Sequence, residues 1–302
     1  MRMILILAVL VLRATLGAGQ QTPPPPTGSA AAIHQTRPFI RNGNLRIMLL
    51  EGSVRVGTWD RDSIRVAARL DAAGRRGFYF AASPEGAGKL GVDTDGAGAA
   101  ELDVTVPPGT RLWVKTAGAP IEVSGVEGSL DLYAVTGGVR VRGSPRSVYA
   151  ESMGGDIEVD GSPAVARLRT GAGSIRVHGA GPDLTLTTVT GGITVTAGAP
   201  LRRVAAETVS GLVRIDAALE PVSAVSVTSH DGAVELRVPP ATDAEFRVVT
   251  LEGELRNELT RGGARKTAGL KGRELSFTSG SGDAQVTVRT FSGTVTIRPR
   301  EP

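Results

Sequence analysis

The 302-residue chain has no cysteine. Disulfides and a lipid-bearing cysteine are therefore excluded, and stability has to come from packing and hydrogen bonding. Aromatic residues make up only 4%, too few for the girdles of an outer-membrane barrel, whose strands of about 9–11 residues would also exceed the short alternating runs here. Neither sign of charge dominates. A formal charge of +4, about +2 without Arg2 and Arg13, gives no reason to expect nucleic acid or an acidic membrane surface as a partner. The apolar run Met3–Leu12 is bounded by Arg13 and falls short of the roughly 20 residues a membrane-spanning helix needs.

What that run does fit is export. Arg2 precedes it and the small residues Gly17, Ala18 and Gly19 follow, which reads as a secretory signal peptide over residues 1–18. Residues 19–39, with Pro23 to Pro26 inside them, read as a stiff, disordered leader. The mature protein is then expected in the periplasm, on the cell surface or secreted, with no transmembrane segment after cleavage.

From Leu112 onward, apolar residues two apart recur at a fixed distance. Leu112 and Val114 are followed nine residues later by Ile121 and Val123, Leu130 and Leu132 by Val139 and Val141, and the same step persists to Leu184/Leu186 and Ile193/Val195. Spacing of two buries one face of a strand, and a helix does not produce it. Units start at Leu112, Leu130, Val148, Ala166 and Leu184, a step of 18, then at Val204, Val225 and Phe246 with steps of 20, 21 and 21, and a last one at Val286. The fold class is therefore all-β: a parallel β-solenoid, β-helix-like, of about 18–21 residues and two strands per turn, each turn stacked on the one before.

Two further columns support the register without appeal to hydrophobicity. Four residues after the unit starts stand Thr116, Ala134, Ser152, Thr170, Thr188, Thr208, Ser229, Thr250 and Thr290, eight of nine with a hydroxyl. Such residues can bond turn backbone that would otherwise be buried unpaired. Three residues later stand Ala119, Gly137, Gly155, Gly173, Gly191, Gly211, Gly232, Gly253 and Gly293, eight of nine glycine; either a positive φ or room for the neighbouring turn would require them. On the outer face of the second strands, Glu122, Arg140, Glu158 and Arg176 alternate in sign, as cross-strand pairs do.

Residues 40–302 then form a single domain: an N-terminal cover over 40–106, less regular than the rest, and a repeat body over 107–302 interrupted by an insertion near 258–272. Leu275 to Ile297 resumes the period.

Gly52-Ser53-Val54-Arg55-Val56-Gly57-Thr58-Trp59-Asp60, then Val106-Pro107-Pro108-Gly109, the Thr/Ser-to-Gly repeats and the closing Thr290-Phe291-Ser292-Gly293-Thr294-Val295-Thr296-Ile297 resemble the bacterial putative-adhesin family, an exported domain of unknown function. The resemblance runs from about Ile40 to Arg298. It implies a β-solenoid outside the cytoplasm and supplies no catalytic residues.

Reactive constellations are scarce. His34 falls in the leader and His178 and His230 at different corners of the repeat, so the three should not share a metal. Gly154-Gly155-Asp156 and Ser281-Gly282-Asp283 are isolated, whereas calcium needs several oxygens at one point. Ser229-His230-Asp231-Gly232 occupies the ordinary hydroxyl-to-glycine bend, where adjacent residues point apart and form no relay. Trp113, Tyr133 and Tyr149 point outward on three consecutive turns with Glu122, Asp131, Glu151 and Glu158 as neighbouring carboxylates, the ingredients of a polysaccharide-binding or polysaccharide-cleaving face.

The expectation is a non-enzymatic exported scaffold or adhesin-like protein, with a polysaccharide-binding or -cleaving β-helix as the alternative. No catalytic residue, cofactor or metal is assigned. The partner is an unidentified cell-envelope or surface component, and no oligomeric state is assigned. Recognition is expected in the charged insertion, at Arg261, Arg265, Lys266, Lys271 and Arg273, because loops on a rigid scaffold carry binding residues.

Overall fold

A computed structural model describes residues 31–93, 98–260, 265–266 and 272–300. The expected signal peptide and the leader as far as residue 30 lie outside them. The described residues form two long sheets of 13 and 14 strands, whose inward side chains make one hydrophobic core.

The first strand of each turn lies in the 14-stranded sheet, where Leu112, Leu130, Val148, Ala166, Leu184, Val204 and Val225 pair in parallel succession. The second strand lies in the 13-stranded sheet, where Ile121, Val139, Ile157, Ile175, Ile193, Val213 and Val234 do the same. The central turns thus stack in chain order, with the two apolar residues of each strand turned inward.

The ends do not follow chain order. Val225 and Val234 pair with Val286 and Val295, and only beyond these come Phe246 and Leu255. The last turn of the chain is therefore threaded between the two that precede it in sequence. The N-terminus repeats the device. Leu45 and Val54 pair with Leu112 and Ile121, while Ala87–Val92 and Ala99–Val106 form a further turn outside them. The first and last full turns, which would otherwise fray, are each paired on both sides.

Three expectations are corrected here. Residues 40–106 are not merely a cover, since they hold two complete turns. The covers proper are antiparallel strands: Phe78–Ala82 on Ala87–Val92, Ser63–Leu70 on Ala99–Val106, and Ala31–Pro38 on Ser63–Leu70. Residues 31–38, expected in the disordered leader, are thus an edge strand; Ile33 packs against the core, and polar residues flank it. At the other end Arg273–Ser279 runs antiparallel to Ala244–Thr250, stacking Phe277 on Phe246 at 4.6 Å between ring centroids, so Leu275 belongs to a cover and not to a resumed turn. The sharp reversal into Ala284–Thr290 uses positive φ at Gly280 and Gly282. An exposed parallel edge is a template for strand addition, which the antiparallel covers occupy.

In the central turns the hydroxyl column closes the corner after the first strand. Thr170 donates to the Gly155 carbonyl of the turn before at 3.0 Å and accepts from its own Gly173 N–H at 3.2 Å; Ser152 and Thr188 repeat the pattern. The glycine column answers to crowding more than to φ. A Cβ on Gly155, Gly173 or Gly191 would overlap the carbonyl oxygen of the preceding column glycine, and among the eight only Gly211 has a positive φ. Positive φ is needed at the opposite corner, at Gly125, Gly143, Gly161 and Gly179.

The outer charge column is in the expected register and extends at the N-terminal end, as Asp103–Arg55–Glu122–Arg140–Glu158–Arg176. Arg140 donates to Glu158 at 2.6 Å. Farther along, Thr296 intervenes between Glu235 and Arg256 because of the threaded turn. The buried Glu235 carboxylate is met by Arg214, Arg237 and Arg298, a pairing that a buried charge requires.

Candidate functional site

The charged insertion is the first candidate. Arg261 and Lys271 lie outside the described residues. Arg265–Lys266 is a two-residue strand antiparallel to Arg273–Ser279, with Arg265 opposite Glu274 and Lys266 opposite Arg273. Arg273, exposed, also stands opposite Thr250. The backbone thus gathers three of the five expected residues at the outermost edge of the 14-stranded sheet. Cationic residues there also deter strand addition.

The second candidate is the aromatic face of the same sheet. Trp113 and Tyr133 approach at 6.2 Å between centroids. Tyr149 is held by Arg167, which lies over its ring at 5.2 Å and donates to its hydroxyl at 2.7 Å. Tyr133, Tyr149, Glu151, Arg167 and Arg169 line a shallow hollow of about 290 Å³. Asp131 sits directly beside Trp113, and burial pushes its carboxyl above the ordinary range. Glu122 and Glu158 are not part of this face: their strands belong to the other sheet, so only Asp131 and Glu151 of the four carboxylates stand with the aromatics.

The Ser229-His230-Asp231 run makes no relay. The Ser229 hydroxyl is turned inward to the Gly232 backbone, while His230 stacks on Phe291 at 4.8 Å and its Nδ1 lies 2.9 Å from Asp231. The Ser292 hydroxyl and then His230 hold the Asp231 carboxyl below its usual value. Asp156 is lowered likewise, by Arg176 and the Ser174 N–H, so it serves the turn stack. Among the described residues, no three His, Asp or Glu side chains are grouped as metal ligands, and no helix is long and apolar enough to cross a membrane.

A third feature is absent from the sequence reading. The residue after each hydroxyl corner points into solvent, and the backbone ladder sets these residues in line: Leu50, Ala117, Val135, Met153 and Gly171, then Val189, Val209, His230, Phe291 and Leu251. Among the described residues, seven of the fourteen exposed large hydrophobic side chains fall in this one column, so it is a ridge and not scatter. Through the middle, the residue that follows each one is also uncharged, from Gly118 through Thr136, Gly154, Ala172 and Thr190 to Ser210. In that following position, carboxylates stand at Glu51, Asp231 and Glu252. The signal was present in the sequence as a further column at the same period.

Two facing sheets built from stacked two-strand turns make this protein a parallel β-solenoid. It belongs to the Toastrack DUF4097 family, which matches residues 100–298. The match includes Val106–Gly109 and Thr290–Ile297, two of the segments that carry the resemblance to putative adhesins, and begins after Gly52–Asp60. Three solved structures are similar over nearly their whole length. A putative adhesin from Bacteroides fragilis has 11% identity and a TM-score of 0.46, covering 89% of this chain and 98% of its own. A putative cell adhesion protein from Clostridium sporogenes has 7% identity and a TM-score of 0.22, covering 89% and 100%. A putative lipid binding protein from Parabacteroides distasonis has 9% identity and a TM-score of 0.44, covering 91% and 98%. No curated protein matches the chain.

Proposed function

We propose that this protein is an exported, non-enzymatic, adhesin-like scaffold that binds a component of the cell envelope. The observation that carries this reading is the uniformity of the stack: its turns present flat, charge-paired faces, and departures from the repeat are confined to the ends. The hollow beside Tyr133 and Tyr149 is shallow, about 290 Å³, at the lower limit of pockets that bury a ligand. Export is supported by Arg2, the apolar run Met3–Leu12 and the small residues that follow. Recognition is assigned to the charged insertion, at Arg261, Arg265, Lys266, Lys271 and Arg273. Replacing residues 261–271 with a short Gly-Ser linker should preserve the circular dichroism spectrum while weakening retention by isolated envelope at least tenfold. Unchanged retention by the folded variant would remove the insertion from the account.

The aromatic face supports a second reading, a glycan seated on Trp113 and Tyr133 with Asp131 and Glu151 accepting its hydroxyls. Aromatic planes bury the apolar side of a sugar ring, and carboxylates satisfy its polar edge. On this reading a glycan array gives reproducible hits that disappear in Trp113→Ala, and a blank array rejects it.

A further inference from the structure

We propose, resting on the glycan reading of the aromatic face, that its ligand is an acidic glycan whose carboxylates are held by the cations surrounding Trp113.

The charge pairing of the stack has one exception. On the 13-stranded sheet the outward arginines are matched, Arg55 with Asp103, Arg140 with Glu158, Arg142 with Asp160, Arg176 with Asp156 and Arg214 with Glu235. The 14-stranded sheet differs over six adjacent strands, those that begin at Ala87, Asn44, Arg111, Ser129, Ser147 and Val165. Their outer face exposes Lys89, Arg46, Arg111, Lys115, Arg167 and Arg169, against Asp131 and Glu151 as the only carboxylates. None of the six cations has an ion-pair partner among the described residues. Six cations against two carboxylates leave a net +4, as much as the formal charge of the whole chain. That excess is spread over about 24 Å at the strand spacing, and an uncompensated field of one sign attracts an anionic partner.

The excess is densest around Trp113. Arg46 stands directly across from it on one neighbouring strand, and Arg111 and Lys115 stand two residues before and after it on its own. All three backbone positions lie within about 7 Å of the Trp113 position. Asp131 occupies the fourth side. A sugar acid matches this pattern: the apolar side of its ring lies on the indole, its carboxylate meets the planar fork of a guanidinium, and its hydroxyls donate to Asp131. Arg111 also lines a hollow of about 450 Å³ with Asn42, Glu127, Ser129 and Arg146. Neither arginine pairs with Glu127 among the described residues, so the hollow keeps two open guanidinium groups beside Trp113, with Glu127, Ser129 and Asn42 to meet hydroxyls.

A single-stranded nucleic acid also takes surfaces of aromatic and cationic residues, but it fits less well. It carries a phosphate at every step, and Asp131, Glu151 and Glu127 stand among the contacts. Tyr149 is already covered by Arg167 and offers no open ring to a base.

The test is an array of uronate-bearing oligosaccharides, each printed beside its carboxyl-reduced form and probed with the purified protein. The acidic forms should bind at least tenfold more tightly than their reduced partners, and the difference should shrink as salt is raised from about 50 mM to about 500 mM, because exposed cations are screened. Arg46→Gln combined with Arg111→Gln should weaken binding of the acidic forms at least tenfold and leave the thermal midpoint in place, since both side chains are exposed and unpaired. Trp113→Ala should weaken both forms. Acidic and reduced forms bound alike, and both lost in Trp113→Ala, would keep the glycan reading and overturn this inference; a blank array would overturn both. Acidic forms bound equally well by Trp113→Ala would overturn the seat on Trp113. Binding of a single-stranded oligonucleotide more tightly than any glycan of the array, lost in Trp113→Ala, would overturn the inference and assign the face to nucleic acid.

Discussion

Removing Ala166–Asp183, one whole turn of 18 residues, is expected to leave a folded and soluble protein, whereas removing the nine residues Ala166–Ser174 is expected to abolish folding. The whole-turn deletion joins Val165 to Leu184, and Leu184 enters the place that Ala166 held against Val148. Ile193 then meets Ile157, and the Thr188 hydroxyl reaches the Gly155 carbonyl in place of that of Gly173. What is lost is one turn's burial and the pairing of Arg176 with Asp156, so the melting temperature should fall by several degrees, as losses of a few kcal/mol do in chains of this size. The half-turn deletion interchanges the two corners for every later residue. One corner is built from a hydroxyl and a crowded glycine, the other from glycines at positive φ, and neither chemistry serves at the other's position. Register errors of this kind turn the wrong face inward, and aggregation should follow. Equal behaviour of the two deletions in circular dichroism and gel filtration would refute the two-strand turn.

Gly155→Ala is expected to be severely destabilising and its neighbour Gly154→Ala nearly neutral. A methyl on Gly155 falls onto the Gly137 carbonyl oxygen, which the stacked backbone holds in place, whereas the nearest heavy atom to a Cβ on Gly154 is 3.8 Å away. Overpacking of this kind costs about 1–3 kcal/mol and more where backbone cannot yield; an exposed substitution without such contact stays within about 0.5 kcal/mol. Chemical denaturation of the two variants separates the explanations. If the glycines were kept for backbone flexibility alone, both substitutions would cost the same.

Much of this architecture was legible in the sequence because a repeat writes each spatial neighbour at a fixed distance along the chain. Leu112, Leu130 and Val148 are neighbours in both senses, and Thr170 with Gly173 could be assigned to a corner before any coordinates. The order of the terminal turns was not legible. Val286 and Val288 carry the same spacing of two whether they stack on Val225 or on Phe246, since hydrophobic periodicity records which face is buried and not which strand lies alongside. The same blindness put Glu122 and Glu158 with the aromatics: parity gave their outward direction, but the sheet depended on which strand of the turn they occupied. The ridge escaped notice for another reason. A single exposed Val135 or Val189 is ordinary on a protein surface, and only stacking makes a contiguous patch of them. Of the insertion, the charge was plain in the sequence, and the position of Arg265 and Lys266 at the sheet edge was not.

The central functional claim is that the protein holds envelope material without altering it. The most direct measurement incubates the purified protein with isolated cell envelope and follows, in the same samples, the fraction of protein retained and the soluble carbohydrate and peptide released. Retention should be saturable and reversible, with release no greater than from heat-denatured protein. Fragments accumulating with time in proportion to the protein added would identify a catalyst and contradict the account.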